Sequence, residues 1–429
     1  MRRWGCMAAA VIAAMTASSC TGITSVEELL EPPVLSDVQK QVYTALTDAV
    51  GEDITYVYPR FDDERSAFFF RDLDGDGTDE ACAFYRDGEQ NSVRLNVLCR
   101  TEDGWRSVYD HACPGTQVER IYMTDLSSDG VYLVIGYGSA ARADKTLCIY
   151  SYEDGRLQNV YSELYSRLEI IDLDLDGGDD IVLINANTED HPAYASLVTD
   201  GGEGVRRRSV VMMRESTAEL VNTVSGGLGG GAAAVYADSS SGSGTISTEI
   251  LYCVEGELRD PAALDGSDIP AITARRWLYS QDIDGDGIVE IPTIDRFPGY
   301  RDTEQIYIAN WNIFENYTLS KKWSSLYEPS QGYCFMIPTR WDGLVTVRID
   351  QSTGERVFYK FNGTLAQSRL ELMRIAVCYT RDKDDFEERG YFEALTTGSE
   401  SVMVLTSAAE DSLVLTPTEI VNGLYSLRS

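Results

Sequence analysis

The sequence predicts a mainly β protein, in which a β-propeller-like repeat domain of about five four-stranded blades precedes a small α+β domain. Three observations support this. From Tyr56 onward, short runs rich in Val, Ile, Tyr and Phe are separated by the Asp-Gly and Glu-Gly turns that typically join hairpins. An acidic nine-residue motif recurs at offsets of 100 and 110 residues. The repeat stops near Glu328, and the last part of the chain follows another pattern.

The acidic motif defines the length of the repeat. Its intact copies are Asp72–Glu80, Asp172–Asp180 and Asp282–Glu290, with a degraded copy at Asp125–Gly130 and an acid-free stretch at Leu220–Tyr236 between them. The period is therefore roughly 50 residues, which accommodates four strands and matches one propeller blade. In the first unit the predicted strands are Ser66–Phe70, Glu80–Tyr85, Val93–Cys99 and Trp105–Tyr109.

These repeats resemble the FG-GAP/VCBS family, which includes the propeller of integrin α chains, where loops of the form D-x-D-x-D-G-x-x-D/E hold calcium. The resemblance covers roughly residues 56–328 and rests on the three intact loops. It implies about three structural Ca²⁺ sites that make the blades rigid. The implied ligands are loop positions 1, 3, 5, 7 and 9: Asp72, Asp74, Asp76, Thr78, Glu80; Asp172, Asp174, Asp176, Gly178, Asp180; Asp282, Asp284, Asp286, Ile288, Glu290.

The residue types in the loop suit calcium, which takes about six to eight hard oxygen ligands. Glycine at position 6 permits the tight turn, and position 7 offers its carbonyl. An EF-hand would need flanking helices and Glu at position 12. Ala83, Leu183 and Thr293 occupy that position and the flanks are predicted strands, so an EF-hand is excluded. The alternative is that the loops are solvated acidic turns without a metal.

The N-terminus has the features of an export signal. Arg2 and Arg3 precede a short apolar run, Met7–Ala17, that is too short to span a bilayer. The following Ser18-Ser19-Cys20 resembles the lipobox of bacterial lipoproteins, which implies lipidation of Cys20 and an extracytoplasmic protein held at the cell membrane by its lipid. The alternative is ordinary signal-peptidase cleavage and secretion.

The predicted organisation follows from these boundaries. It comprises a signal peptide (1–19), a tether (20–36), a helix with a lead-in segment (37–55), the propeller (56–328) and the α+β domain (329–429). In the last domain we expect strands at Tyr333–Pro338, Leu344–Ile349, Glu355–Phe361, Leu370–Tyr379, Tyr391–Leu395 and Ser401–Thr406. A capping box at Thr416 predicts a final helix with Ile420, Leu424 and Leu427 on one face.

Composition excludes several classes of function. A net charge of −33 disfavours nucleic-acid binding, and two histidines leave little scope for imidazole catalysis. Of the nine cysteines, Cys6 belongs to the signal and Cys20 to the lipid site, and several of the others lie in apolar runs, which predicts buried thiols rather than a disulfide framework. The Gly/Ser-rich stretch Asn222–Gly244 lacks the lysine of a P-loop and is interpreted as a rim loop with a degenerate blade. Arg206–Arg208 is interpreted as a solvated strand end, with an anion site as the alternative.

The leading functional hypothesis is non-enzymatic binding of an extracellular protein or glycan by a lipid-anchored envelope protein. One alternative is a carbohydrate-active enzyme that uses paired carboxylates in the propeller channel. Another is a structural part of a larger envelope assembly. A pocket that brings two acids together with aromatic rings favours the enzyme, whereas a shallow mouth favours binding.

Lipidation provides a direct test of the N-terminal prediction. Wild-type protein expressed in a bacterial host should incorporate radiolabelled fatty acid, because Cys20 would carry the acyl groups. Cys20→Ala should not incorporate it. Equal labelling of both proteins would contradict the prediction.

Overall fold

Antiparallel β-sheet makes up most of the protein. The computed structural model describes residues 36–61, 66, 68–88, 92–127, 130–139, 142–153, 155–214, 217, 219–240, 242–301 and 306–427. The predicted signal peptide and Cys20 lie outside the described residues. Among the described helices, none is long and apolar enough to cross a membrane.

The chain divides into two compact units. The first unit comprises the described residues up to 57 and those within 66–72 and 76–112. The second unit comprises all other described residues. The first unit contains α1 (Asp37–Val50), β1 (Ile54–Tyr56), β2 (Phe68–Arg71), β3 (Glu80–Asp87), β4 (Arg94–Thr101) and β5 (Gly104–Ala112). Strands β1 and β2 pair with successive parts of β3, and β4 and β5 complete the sheet.

Helix α1 covers one face of this sheet. Ser36 caps it through a reciprocal capping box with Gln39. Apolar residues at helical spacing give the helix one buried stripe, on which Val42 and Leu46 pack with Phe68 and Tyr85.

The second unit contains five successive antiparallel sheets. The first three have four strands each: β6 (Gln117–Ser127), β7 (Gly130–Ser139), β8 (Arg142–Glu153), β9 (Arg156–Tyr165); β10 (Arg167–Ile171), β11 (Asp180–Asn185), β12 (Tyr194–Asp200), β13 (Val205–Met212); β14 (Glu219–Gly227), β15 (Ala233–Ser240), β16 (Ile246–Val254), β17 (Glu257–Arg259). Each is a simple meander in chain order.

Two five-stranded sheets follow the short helix α2 (Ile269–Ile272). Their strands are β18 (Ile291–Arg296), β19 (Tyr307–Glu315), β20 (Thr318–Glu328), β21 (Tyr333–Ile337), β22 (Val345–Ile349), β23 (Arg356–Lys360), β24 (Glu371–Tyr379), β25 (Phe392–Thr397), β26 (Glu400–Thr406) and β27 (Leu424–Ser426). The orders are β18-β19-β20-β21-β27 and β22-β23-β24-β26-β25. Helices α3 (Lys383–Glu387) and α4 (Pro417–Asn422) lie in the C-terminal part.

Within the second unit, each sheet packs its faces on its neighbours in the chain. Val134 and Ile149 share a core with Ile181 and Val198 of the next sheet, and comparable apolar cores lie between the later pairs of sheets. Strand β11 is buried along its whole length, which is why its middle part, Ile181–Ile184, is a continuous apolar run rather than an alternating pattern. The predicted mainly β, propeller-like fold is confirmed.

The final helix is shorter than predicted. Thr416 and Glu419 form the predicted capping box, but α4 ends at Asn422 and Gly423 follows it. Leu424 instead begins β27, where it pairs with Phe335 of β21. Backbone pairing to the sheet edge therefore replaces the helical hydrogen bonds expected there.

The predicted domain boundary at 328/329 stays a prediction. Strand β21 lies beyond the boundary and β20 before it, yet the two strands pair directly, as Leu326 with Phe335. Backbone hydrogen bonds thus continue the fifth repeat into the C-terminal part.

The Gly/Ser-rich stretch is mostly strand, so the predicted rim loop was wrong, whereas the stretch does belong to a four-stranded sheet that carries the degenerate motif. It supplies most of β14 and all of β15, and Gly227 pairs with Ala233 across the turn that joins them. A Cβ on Gly226 would lie 2.7 Å from Cγ2 of Val289. Close approach of two backbones therefore accounts for the small residues here.

Among the described residues, no two cysteines form a disulfide. Cys82, Cys113, Cys148 and Cys334 are buried, and Cys99, Cys253 and Cys378 are partly buried. Burial raises the pKa of Cys334 to about 12, with Ser325 opposing the shift. Such a thiol behaves as a small apolar residue at neutral pH.

A buried ion pair holds the segment that leads into the third acidic loop. Arg275 and Asp238 are both fully buried, and their side chains meet at 2.7 Å. Asp238 also accepts hydrogen bonds from the backbone N–H (2.6 Å) and hydroxyl (2.9 Å) of Ser280. The chain is therefore fixed two residues before the loop begins.

Asp260 is a buried acid that makes stability depend on pH. Burial, and then the neighbouring Glu249, raise its pKa well above the usual value. The folded state therefore binds this proton more tightly than the unfolded chain. Its contribution is complete below the ordinary carboxyl pKa of about 4 and is lost as pH rises towards the raised value.

Asp260→Asn should consequently stabilise the protein at neutral and alkaline pH, because the amide stays neutral. We expect a gain of about 1–3 kcal/mol in urea unfolding at pH 8 and a smaller difference at pH 5. Asp268→Asn, which changes an exposed acid nearby, is the matched control and should have little effect. Equal pH profiles for wild type and Asp260→Asn would contradict this prediction.

Candidate metal centres and the inner cavity

The three acidic loops share one backbone design. In each, residues at both ends pair across the loop: Arg71 with Glu80, Ile171 with Asp180, and Gln281 with Glu290. The first aspartate of each loop then accepts backbone N–H groups from inside the turn. Asp172, for example, accepts from Asp176 (3.1 Å) and Gly177 (3.1 Å).

Two positions of the loop have left-handed backbone. Position 6 is glycine in every copy, with φ between 85° and 96°. Position 4 is Gly75 or Gly285 in two loops but Leu175 in the second, at φ 61°. A side chain at such a φ costs about 1 kcal/mol, so the surrounding structure imposes the turn at that position.

Three of the predicted ligand positions converge in every loop. Carboxylate oxygens of positions 1, 3 and 9 lie within 4.8 Å of one another: Asp72, Asp74 and Glu80; Asp172, Asp174 and Asp180; Asp282, Asp284 and Glu290. Each of these groups can hold a metal ion.

The predicted ligands at positions 5 and 7 have another role in the structure. Asp76, Asp176 and Asp286 each accept the backbone N–H of position 7, which is Thr78, Gly178 and Ile288 in turn. Position 5 is not a member of the three convergent groups. Participation of positions 5 and 7 as ligands stays a prediction.

The second loop has the electrostatic features of a cation site. Oδ1 of Asp174 is buried and has no hydrogen-bond partner, while Oδ2 meets Arg208 at 3.0 Å. Asp180 is 2% exposed, and burial followed by the charge of Asp174 raises its pKa to about 6. A divalent cation would pair with the orphaned oxygen and relieve this repulsion, so these residues fit a metal.

The third loop already contains a cation. Nζ of Lys322, on β20, lies 2.7 Å from Asp286, 2.7 Å from Glu290 and 2.9 Å from Asp284. Although burial opposes its charge, hydrogen bonds to these carboxylates raise the pKa of Lys322. Trp323 Nε1 donates to Oδ2 of Asp284 at 3.2 Å.

The two degenerate copies of the motif lie against the intact ones. The carbonyl of Asp125 accepts the backbone N–H of Asp179 at 2.7 Å. Gly227 N–H donates to the carbonyl of Gly287 at 2.7 Å, and Val289 N–H donates back to Gly227 at 3.2 Å. Each degenerate loop thus supports the following intact loop.

A cavity of about 390 Å³ lies along the first strands of three successive sheets of the second unit. We call it the inner cavity. Its charged and aromatic lining residues come mainly from β6 and β10: Phe61, Glu119, Arg120, Tyr122, Lys145, Tyr165, Arg167 and Glu169. The size is within the usual range for small-molecule sites, about 300–1,000 Å³.

The acids of the inner cavity differ in their partners. Glu119 is buried and pairs with Lys145 at 3.2 Å and Arg60 at 3.4 Å. Glu169 accepts a hydrogen bond from Thr223 at 2.6 Å and makes no ion pair among the described residues. Glu119 therefore stabilises the wall of the cavity, and Glu169 is the more available carboxylate.

Arg167 is the cation best placed to meet a ligand. Its guanidinium donates to the carbonyls of Leu220 (2.8 Å) and Ser166 (3.2 Å). Within the described chain it has no carboxylate partner. A partly buried guanidinium without a counter-ion favours an anionic ligand.

Sequence reasoning missed the inner cavity and Lys322. The cavity residues carry no motif, because strands far apart in the chain supply them. For Lys322 a signal existed: the third strand after an acidic loop carries a basic residue in both later units, Arg208 and Lys322. The three arginines at 206–208 pair with Glu203, Glu163 and Asp174, which favours the strand-end interpretation over an anion site.

No family model and no curated protein match the sequence. Among solved structures, the chain is similar to the exotype rhamnogalacturonan lyase YesX, with 12% identity and a TM-score of 0.26 over 69% of this chain and 60% of that one. It is also similar to the rhamnogalacturonan lyase PL11 of Bacillus licheniformis, with 13% identity and a TM-score of 0.25 over 70% of this chain and 59% of that one. With the rhamnogalacturonan lyase YesW it shares 14% identity and a TM-score of 0.23 over 53% of this chain and 59% of that one. The chain spans less than two thirds of each of these proteins, and likenesses of this size identify neither a family nor an activity.

Proposed function

We propose that this protein is an extracytoplasmic, lipid-anchored binding module of the FG-GAP/VCBS type, whose propeller-like domain is stabilised by calcium and binds an acidic glycan. The observation that supports ligand binding is the inner cavity, where cations and aromatic rings line a space large enough for a small ligand. Lipid anchoring rests on the sequence around Cys20 alone.

Calcium is the metal that best suits the acidic loops. Their convergent ligands are all carboxylate oxygens, which are hard ligands that favour calcium or magnesium over zinc or copper. Calcium tolerates irregular coordination, whereas magnesium requires near-octahedral geometry and loses its water reluctantly. When bound, calcium would neutralise the carboxylates of the loop and fix the turn between two paired strands.

An acidic glycan suits the inner cavity by charge and shape. Three cationic side chains and two acidic ones line it, in a chain whose net charge is −33. The side chains that line the cavity thus carry a small excess of positive charge, opposite in sign to the net charge of the protein, and this favours a carboxylate-bearing ligand. Aromatic rings of Phe61, Tyr122 and Tyr165 offer apolar faces on which a sugar ring can pack.

The cavity meets the condition stated above for the enzyme alternative, because two carboxylates and three aromatic rings line it. Glu119, however, is buried between Lys145 and Arg60 and is not placed as a free acid or base. Binding is therefore the better account of this geometry. New reducing ends from an oligosaccharide incubated with the protein, lost in Glu169→Gln, would favour the enzyme instead.

Calcium removal tests the metal part of the proposal. Chelator should lower the melting temperature by several degrees, and calcium should restore it better than magnesium. At ten times its dissociation constant, one site contributes about 1.4 kcal/mol. Asp174→Ala should lose part of the calcium response, whereas Asp265→Ala, an exposed acid outside the loops, should keep it. A melting temperature that changes with neither chelator nor calcium would contradict the proposal and indicate that the loops are acidic turns without a metal.

Arg167→Met tests the ligand part. Binding of a uronate oligosaccharide should weaken about 10- to 100-fold, because a charge-assisted hydrogen bond is lost. Arg167→Lys should retain part of the affinity. Arg156→Met, which removes an equal charge from the exposed end of β9, is the matched control.

The measurement is calorimetric titration with the uronate oligosaccharide and with its carboxyl-reduced counterpart. The reduced sugar should bind weakly to every variant. Equal binding of both sugars, or an Arg167→Met protein that binds like wild type, would contradict an anionic glycan at this cavity. If the protein captures an extracellular protein partner and Arg167→Met does not change that capture, the hypothesis that the ligand is a protein rather than a glycan would be favoured.

A further inference from the structure

The third acidic loop differs from the second in the cation that it contacts. Lys322 meets three carboxylates of the loop, Asp284, Asp286 and Glu290, at 2.7–2.9 Å. An ammonium group has three N–H donors, so these contacts satisfy all of them. The Lys322 side chain is 23% exposed and that of Glu290 is fully buried.

We propose that Lys322 takes the place of calcium in the third loop, so that calcium concentrations that fill the second loop leave the third loop bound to lysine. The inference rests on the proposed binding of calcium to the acidic loops. It assigns Lys322 as a built-in counter-ion, and it distinguishes the third loop from the second.

Lysine and calcium would compete for the same oxygens. Calcium needs oxygen ligands at about 2.3–2.6 Å, and Nζ of Lys322 contacts Oδ2 of Asp284 and Oε1 of Glu290, two of the three residues whose carboxylates converge in this loop. Two cations cannot share these oxygens at that distance without strong repulsion. Calcium could enter only after Lys322 had given up all three partners.

The competition favours lysine because its ammonium group is tethered. Even a flexible tether gives an effective concentration of about millimolar, and a side chain on a paired strand is more restricted than that. Extracellular calcium sites commonly have dissociation constants of about 10⁻⁴–10⁻³ M. Calcium that enters the third loop must therefore displace an ammonium group that is always close by, which weakens the apparent affinity of this loop for calcium.

The third loop also keeps its shape without a metal. Asp282 accepts backbone N–H groups from Gly285 (2.7 Å) and Gly287 (2.8 Å), and it does not contact Lys322. Glu290 accepts the N–H of Ile283 at 3.1 Å. The turn is thus held by backbone donors, and the lysine neutralises the carboxylates that remain.

The second loop shows the opposite arrangement. Its basic neighbour, Arg208, meets only one oxygen of Asp174 and leaves the other buried without a partner. Among the described residues, no cation contacts Asp180. This loop therefore retains the unsatisfied oxygen that Lys322 removes in the third.

Calcium counting with Lys322→Met tests the proposal. Equilibrium dialysis of the soluble chain should find one more bound calcium in Lys322→Met than in wild type. Lys321→Met changes the adjacent exposed lysine on the same strand and should bind as wild type does. In chelator, Lys322→Met should melt several degrees below both proteins, and calcium should restore it.

Terbium luminescence assigns the extra site. Trp323 contacts Asp284, so a terbium ion in the third loop should be sensitised by this indole. Emission should rise in Lys322→Met, and the rise should disappear when Trp323→Phe is added. Circular dichroism of each protein in calcium confirms that it is folded.

The outcomes separate this inference from the proposed function. One additional calcium in Lys322→Met, with the Trp323-dependent emission, supports it. Equal numbers of calcium ions in wild type and Lys322→Met overturn it, whatever the number. If wild type binds no calcium at all, the proposed calcium stabilisation fails independently of this comparison.

Discussion

The burial of central strands on both faces is the constraint on which the second unit depends. A strand such as β11 has no solvent face, so its sheet must be covered on each side. Five consecutive antiparallel sheets meet this requirement by packing on their neighbours in the chain. The first strands of successive sheets are thereby brought side by side, and the inner cavity forms along them.

This packing also explains why the acidic motif repeats at about 100 residues although the blade repeats at about 50. Asp125 and Gly227, in the degenerate copies, lie against the intact loops through backbone hydrogen bonds. A Cβ on Gly226 would collide with Val289. The degenerate loops contact the neighbouring intact loop through small residues and carbonyls, so acids there would only add repulsion.

Charge is compensated in the acidic loops but not in the inner cavity. The net charge of the chain is −33, and the acids of the second and third loops are compensated by backbone N–H groups and by one basic side chain from the same sheet, Arg208 or Lys322 respectively. The inner cavity has the opposite bias, with Arg167 lacking a carboxylate partner in the described chain. The loops thus support the frame, while the cavity is the place where a ligand can meet uncompensated charge.

The sequence by itself determined those structural elements that depend only on residues close together in the chain. The strand runs, the turns, the acidic loops and the capping box at Thr416 all depend on neighbouring residues, and predicted strands such as Leu344–Ile349 differ from β22 by one residue. Tertiary structure decided the rest. Leu424 joins a strand because the edge of β21 offers hydrogen bonds, and Gly227 of β14 pairs with Ile288, which lies far along the chain from it. Lys322 also depends on tertiary structure. The pairing of β18 with β19 and of β19 with β20 brings Lys322, on β20, next to the third loop, and no local sequence pattern indicates this contact.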